Sequence, residues 1–274
     1  MKISASHWMF EGGRSIEEVL REARDVGFEA VELAVASSGV LTHETTQTEC
    51  EDIVAAAERI GVEISSVASG ENWSCSPSAN DPEVRKKIVD FTHRALQVAN
   101  WLGTDAYLYI PGAVEVFFLE NSEVIPYEVC CERATEAIKE IIPTAEETGV
   151  TIGVENVWNK FLLSPTEMRD FIDSFNSKAV GAYFDVGNVL LTGFPDQWIR
   201  ILGDRIARIH VKDFKTSIGT IAGFVDLLEG DVDFDAVKEA LAEVGYDGYA
   251  TAEILPYEEG RLKKTADAMR KIFK

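Results

Sequence analysis

Cysteine is scarce in this chain and badly spaced for holding a metal. Only Cys50, Cys75, Cys130 and Cys131 occur among 274 residues, and none stands in a CxxC arrangement, so a thiolate zinc site has no signature here. The adjacent pair suits buried or surface thiols better than a disulfide framework. Positive charge is also short: 26 lysines and arginines face 47 acidic residues, a formal charge of −21. That balance argues against a nucleic-acid backbone or an anionic membrane surface as partner, and is read as an acidic, solvated helical exterior. No uncharged run approaches the length of a membrane span and no basic-then-apolar leader opens the chain, so the expected location is the cytoplasm. Linkers and low-complexity stretches are missing, as is a GxGxxG after the first apolar run, which removes the usual mark of a dinucleotide site.

What is present is a regular alternation. Apolar runs at 2–7, 28–34, 62–68, 105–110, 150–155, 179–184, 205–210 and 249–253 are separated by helical patterns with readable starts and stops. Ser15 with Glu18 makes a capping-box pattern, Asp81-Pro82 and Ser164-Pro165 open two further helices, and Gly27, Gly61, Gly103 and Gly149 end four. Pro143, inside the helical span 126–148, predicts a kink or break. Residues 214–232 read as a long loop. Eight apolar strands alternating with eight helices imply a parallel sheet sheathed by helices. The expected fold class is α/β, a (β/α)8 TIM barrel forming a single domain over residues 1–274, with an open doubly wound sheet as the alternative.

Four strands end in residues able to bind a metal: VTIGVE in Glu155, AYFD in Asp185, RIARIH in His210 and YATAE in Glu253. Singly each is weak, because an Asp before a Gly-containing turn is usually a turn former and a strand-end Glu usually a surface residue. At matching positions in a parallel barrel, all four converge on the C-terminal face, where barrel enzymes place their sites. Three carboxylates with one imidazole are a hard, oxygen-rich donor set. They suit one divalent ion such as Mn²⁺, Mg²⁺ or Co²⁺ better than a structural zinc; Mn²⁺ leads, and Zn²⁺ remains open.

The strand ends VENVW, FDVGN, HVKD and TAEI resemble those of the xylose isomerase-like barrel superfamily, in its sugar-phosphate isomerase/epimerase branch, and the resemblance runs from the first strand to Glu253. It implies that Glu155, Asp185, His210 and Glu253 hold one divalent metal. It also implies that Glu155 and Glu253 flank a ketose as the acid–base pair of an epimerase or isomerase working through a cis-enediolate. Chelation by the carbonyl and its neighbouring hydroxyl would acidify the intervening C–H and stabilise that enediolate, and epimerisation needs a base on one face and an acid on the other. Homo-oligomers are common in that family. Two positions depart from its free-ketose epimerases: Asn188 stands where many have His, and Thr216 where many have Arg. The DVGN form instead resembles the L-xylulose 5-phosphate 3-epimerase group, which tilts the expected substrate from a free sugar towards a sugar phosphate. Lys160, Lys212 and Lys215 are the candidate phosphate partners, each equally readable as a surface charge.

Around the ligands, Asn188 is a candidate substrate contact or a helix cap, and Lys212 points to the same side as His210. Trp158, with Trp8 and Trp73, offers stacking faces just past strand ends, and His7 ends the first strand where it could touch substrate. Glu32 is expected behind the ligands or in a structural role, Asp213 is expected to orient a neighbouring side chain, and His43 and His93 read as surface or helix residues. An inosose-type dehydratase or a C-glycoside-cleaving lyase would use the same site, and a catalytically silent sugar-binding barrel is the non-enzymatic alternative. An apurinic-site endonuclease, with three zinc ions and many histidines, is disfavoured by four histidines, Asn188 and the negative charge.

Overall fold

The computed structural model describes residues 1–120 and 122–274. Its strands are β1 (Lys2–Ser6), β2 (Ala30–Ala34), β3 (Glu63–Ala68), β4 (Ala106–Tyr109), β5 (Thr151–Glu155), β6 (Val180–Asp185), β7 (Ile206–Val211), β8 (Asp213–Phe214), β9 (Phe224–Val225) and β10 (Tyr249–Ala252). Eight of them close a parallel barrel in the order β1-β10-β7-β6-β5-β4-β3-β2, while β8 and β9 form a small antiparallel ribbon. The helices are α1 (Ile16–Val26), α2 (Gln47–Ile60), α3 (Glu71–Ser74), α4 (Pro82–Trp101), α5 (Tyr127–Thr148), α6 (Pro165–Asp173), α7 (Pro195–Leu202), α8 (Phe234–Glu243) and α9 (Arg261–Phe273). The barrel is the one the alternation implies, not the open sheet. Helix α3 and the β8–β9 ribbon are additions to the expected eightfold alternation.

Local chemistry explains where the elements begin and stop. Ser15 and Glu18 form the expected reciprocal cap of α1, Thr46 and Glu49 do the same for α2, and Asp81 and Ser164 cap α4 and α6. The expected break at Pro143 does not occur: α5 is one helix from Tyr127 to Thr148. Proline removes one backbone hydrogen bond and crowds the preceding turn. Burial of Ile138 and Ile141 before it, and of Ala145 after it, holds both halves against the barrel. All four cysteines are free thiols, three of them buried, and no described helix is long and apolar enough to cross a membrane.

The main apolar core lies between sheet and helices, where the outward residues of the strands (Ile3, Val31, Leu33, Val154, Phe184, Ile209) pack. The barrel interior is different. Barrel lumens are usually filled by branched apolar layers, but here Ser4, Ser6, Ser65, Ser66, Thr251, Glu32 and Arg208 are all buried. A small apolar cluster of Ala68, Leu108, Ile110 and Tyr183 stands apart from the main core. Such a lumen can support charged groups above it with hydrogen bonds.

Two bulges set what faces inward. The β2–β3 register slips between Val31 and Glu32, so that Glu32 pairs with Ser66, and the β6–β7 register slips between Ala182 and Tyr183, so that Asp185 pairs with His210. A one-residue slip reverses the face of every later side chain, so the extra residue in β7 is what brings His210 alongside Asp185. Gly153 in β5 leaves space for the ring opposite. A Cβ there would lie 2.9 Å from Tyr183 Cδ2 and 3.1 Å from its Cβ. Gly153→Ala is therefore expected to destabilise the barrel by about 1–3 kcal/mol through overpacking. The check is a lower urea midpoint at unchanged slope.

Candidate metal centre

Each candidate ligand is delivered by the C-terminal end of a strand, and the four strands are neighbours. Glu155 ends β5, Asp185 ends β6, His210 lies near the end of β7, and Glu253 directly follows β10, its N–H still bonded to Val211 O at 3.2 Å. One ligand atom from each lies within 4.8 Å of all the others, and all four residues are buried. The glutamates occupy the two ends of this arc of strands, with Asp185 and His210 between them.

The inward nitrogen of His210 is Nδ1, 3.3 Å from Glu155 Oε1, 3.1 Å from Glu253 Oε2 and 4.0 Å from Asp185 Oδ2. Nε2 points away, to Glu32 Oε1 at 3.0 Å. Glu32 in turn accepts hydrogen bonds from Ser66 Oγ at 3.0 Å and from the Tyr183 hydroxyl. Asp185 is fixed at its other oxygen by Asn188 N–H at 2.8 Å, and its backbone is clasped by the Asn156 amide, which accepts from Asp185 N–H at 2.9 Å and donates to Asp185 O at 2.8 Å. Asp185 Oδ2 and Glu253 Oε2, both buried, make no hydrogen bond. Lys212 Nζ stands at ion-pair distance from them, 3.0 Å and 2.5 Å away.

Burial and charge act on these groups in opposite senses. Burial pushes the Glu155 carboxyl up to about 7, helped by the nearby Glu253 carboxylate and opposed by His210 and Lys212. Burial also pushes Glu253 upward, but Lys212 and His210 outweigh it and hold this carboxyl well below the usual range. For His210, burial favours the neutral ring, yet Glu32 and Glu253 raise it well above an ordinary imidazole. The four side chains fit a single divalent cation. Two buried carboxylate oxygens lack hydrogen bonds, the donor set is hard, and Nε2 of the histidine is held by a carboxylate, the usual arrangement behind a metal-binding imidazole.

A family model described as xylose isomerase-like TIM barrel matches residues 20–272. The chain belongs to this family. It is 25% identical over 260 residues to the uncharacterized protein MJ1311 of Methanocaldococcus jannaschii, covering 92% of this chain and 83% of that one. Among solved structures, L-ribulose 3-epimerase superposes with a TM-score of 0.81 at 17% identity, covering 99% of this chain and 93% of the other. D-psicose 3-epimerase from Clostridium cellulolyticum H10, solved with D-tagatose, gives 0.78 at 18% identity with both chains fully covered. At these identities the likeness speaks for the xylose isomerase-like fold.

Above the ligands lies a cavity of about 540 Å³ whose lining includes Glu155, Glu253, Asn188, Lys212, Trp158, Trp8 and Trp73. His7 does not line it; its Nδ1 accepts from Ala34 N–H at 3.3 Å. Asn188 donates its side-chain amide to Asn156 O, and its carbonyl accepts from Trp158 Nε1. Asp213 departs from expectation. It orients no side chain but accepts four backbone N–H groups, from Phe214, Leu228, Gly230 and Val232, at 2.9–3.2 Å, and so ties down the 214–232 segment. His43 packs against Phe91, and His93 bonds Thr144. Tyr183, Asn156, Phe118 and Phe224 were not among the expected site residues; of these only Asn156, beside Glu155 in VENVW, had a positional signal.

Two outcomes follow for metal binding. Glu32→Gln should lower affinity for Mn²⁺ by about 10–100-fold, as loss of such a supporting carboxylate typically does, measured by competition with a chelating dye. Metal capture must also expel the proton of His210 Nδ1, whose affinity for it is raised, so binding should tighten from pH 6 to pH 8 by about tenfold per unit for each proton released. A flat profile would mean that the ring is already neutral.

Proposed function

We propose that this chain is a divalent-metal-dependent epimerase or isomerase of a ketose, free or phosphorylated, with Glu155 and Glu253 as its acid–base pair. The observation that carries the reading is the arc of four neighbouring strand ends: two carboxylates at its ends, an imidazole and a third carboxylate between them, at the floor of a cavity large enough for a sugar. A divalent cation bound there would polarise a carbonyl oxygen and so acidify the adjacent C–H. Mn²⁺ is the expected ion. The solved ketose 3-epimerases that share the fold support the same class of chemistry.

The protein groups divide the remaining work. Glu155 and Glu253 approach the bound sugar from the two ends of the arc, so that one takes the proton from the carbon beside the carbonyl and the other returns a proton to the opposite face. Asp185 and His210 hold the centre of the arc. Lys212, in contact with Glu253, favours the ionised form of that carboxylate. Asn188 and Trp158, fixed to each other, line the wall beside Glu155 and position the sugar.

The test is proton NMR in D₂O with Mg²⁺-loaded protein against free ketoses, pentulose 5-phosphates and inososes. Deuterium at one carbon together with a new epimer is the expected result. Loss of water or of a substituent would move the assignment to a dehydratase or lyase, and absence of both exchange and product would sink it. Glu155→Gln should keep the barrel's circular dichroism and lower turnover by about 10²–10⁴-fold. Near-wild-type turnover would remove Glu155 from the acid–base pair.

A further inference from the structure

The cavity above the ligands has a charged floor and apolar walls. Trp8, Trp73, Phe118, Trp158, Phe224 and Leu255 surround the space above the carboxylates. Its volume, about 540 Å³, falls in the range of about 300–1,000 Å³ that holds drug-sized ligands. Three polar side chains of the wall already have partners within the protein. Asp213 takes four backbone N–H groups, the Asn188 amide donates to Asn156 O, and Ser69 Oγ accepts from Glu71 N–H at 3.2 Å. Hydroxyls far from the floor would find few partners, and a buried hydroxyl without one is costly.

A phosphate fares worse. Lys212 is the one basic side chain lining this cavity among the described residues, and it faces Asp185 and Glu253. Lys160 is paired with Glu115, and Lys215 with Asp231 at 2.6 Å. Barrel enzymes often bind phosphate with the loops after the seventh and eighth strands. Here those loops carry Asp226, Glu229, Asp231 and Asp233, then Glu258 and Glu259, and the nearby cations Lys215, Arg261 and Lys264 are already paired with Asp231, Asp226, Glu258 and Glu229.

Apolar surface also continues past the first cavity. A second one of about 400 Å³ shares Val157, Trp158 and Asn188 with it and is walled by Phe117, Phe161, Leu163 and Leu191. The shared Trp158 is held firmly, its Nε1 bonded to Asn188 O at 2.8 Å and its ring 5.3 Å and 5.2 Å from those of Phe214 and Phe224. The Phe224 side of this wall is placed by the segment that Asp213 anchors.

We propose that the substrate is an uncharged keto-sugar bearing an apolar, ring-sized substituent, with its sugar end at the carboxylates and the substituent among Trp73, Phe118, Trp158 and Phe224. The inference rests on the epimerase reading and narrows its substrate from the sugar phosphate that the DVGN motif suggested. Binding to the Mn²⁺-loaded protein is measured by calorimetry for two matched pairs: methyl against phenyl 3-ketoglucoside, and D-fructose against its 6-O-benzyl ether, with D-xylulose 5-phosphate as the anion. The aryl member of at least one pair should bind about tenfold tighter than its partner through the apolar area it buries, and the phosphate more weakly than either aryl sugar. Phe118→Ala and Trp73→Ala, made separately in case one fails to fold, should each reduce the aryl preference by about threefold or more. Equal affinities within both pairs, or tighter binding of the phosphate, would overturn the proposal. Deuterium exchange on the same compounds separates the two levels. Exchange into the plain sugars with no gain from the aryl group overturns this inference alone, whereas neither binding nor exchange with any compound removes the epimerase reading as well.

Discussion

Burying carboxylates beside one another is the constraint around which the upper half of the barrel is built. Glu155, Asp185 and Glu253 converge at the mouth, and Glu32 lies beneath them, fully buried. Two bases, His210 and Lys212, stand among these four acids. With the acids ionised and the bases protonated, two negative charges remain in excess, in a place where desolvating each ion costs several kcal/mol. The response is visible in the groups themselves: Glu155 tends to keep its proton, and His210 tends to gain one. A divalent cation would offset such an excess, so residues that are costly to bury together form a candidate metal site.

The support for that centre comes from parts of the lumen that would ordinarily be apolar. Glu32 reaches His210 from β2, across β1 and β10 in the ring of strands. It can do so because the serine-rich strands β1 and β3 leave room, Ser66 donates to it, and Gly153 makes space for the Tyr183 ring whose hydroxyl also donates. One chain of contacts therefore runs from a strand glycine through a tyrosine and a buried glutamate to the outer nitrogen of the imidazole in the candidate metal centre. Orientation of the histidine, and hence which nitrogen faces the ligands, is fixed by groups that never touch the cavity.

Some of this was legible in the chain and some was not, for identifiable reasons. The strands are short apolar runs punctuated by acids and glycines, so their ends, and with them Glu155, Asp185, His210 and Glu253, could be read locally. Helix ends were equally local, because Ser15 with Glu18 or Ser164 with Glu167 forms its cap within one turn. Pro143 misled because its cost is local while the burial that outweighs it is tertiary. The bulges in β3 and β7 leave no mark in composition. Nor could the Glu32–His210 contact, between residues 178 positions apart, be inferred from either residue alone. Asp213 was misjudged because its partners are backbone N–H groups, which every residue but proline possesses and which only the path of the 214–232 segment brings together.

That segment links the two halves of the site. By collecting four N–H groups on a single carboxylate, Asp213 turns a long connection after β7 into a fixed wall, and Gly230 permits the approach, since a Cβ there would lie 2.0 Å from Asp213 Oδ1. The wall presents Ile221, Phe224 and Val225 to the cavity, where Phe224 meets Trp158 and, through it, the β5 side of the mouth. An apolar enclosure over a charged floor lowers the local dielectric and strengthens each electrostatic contact made within it. The Lys212 ammonium, 5.8 Å from the Phe224 ring centre and pressed towards Asp185 and Glu253, lies where those two environments meet. It thereby touches both the apolar wall and the acidic floor.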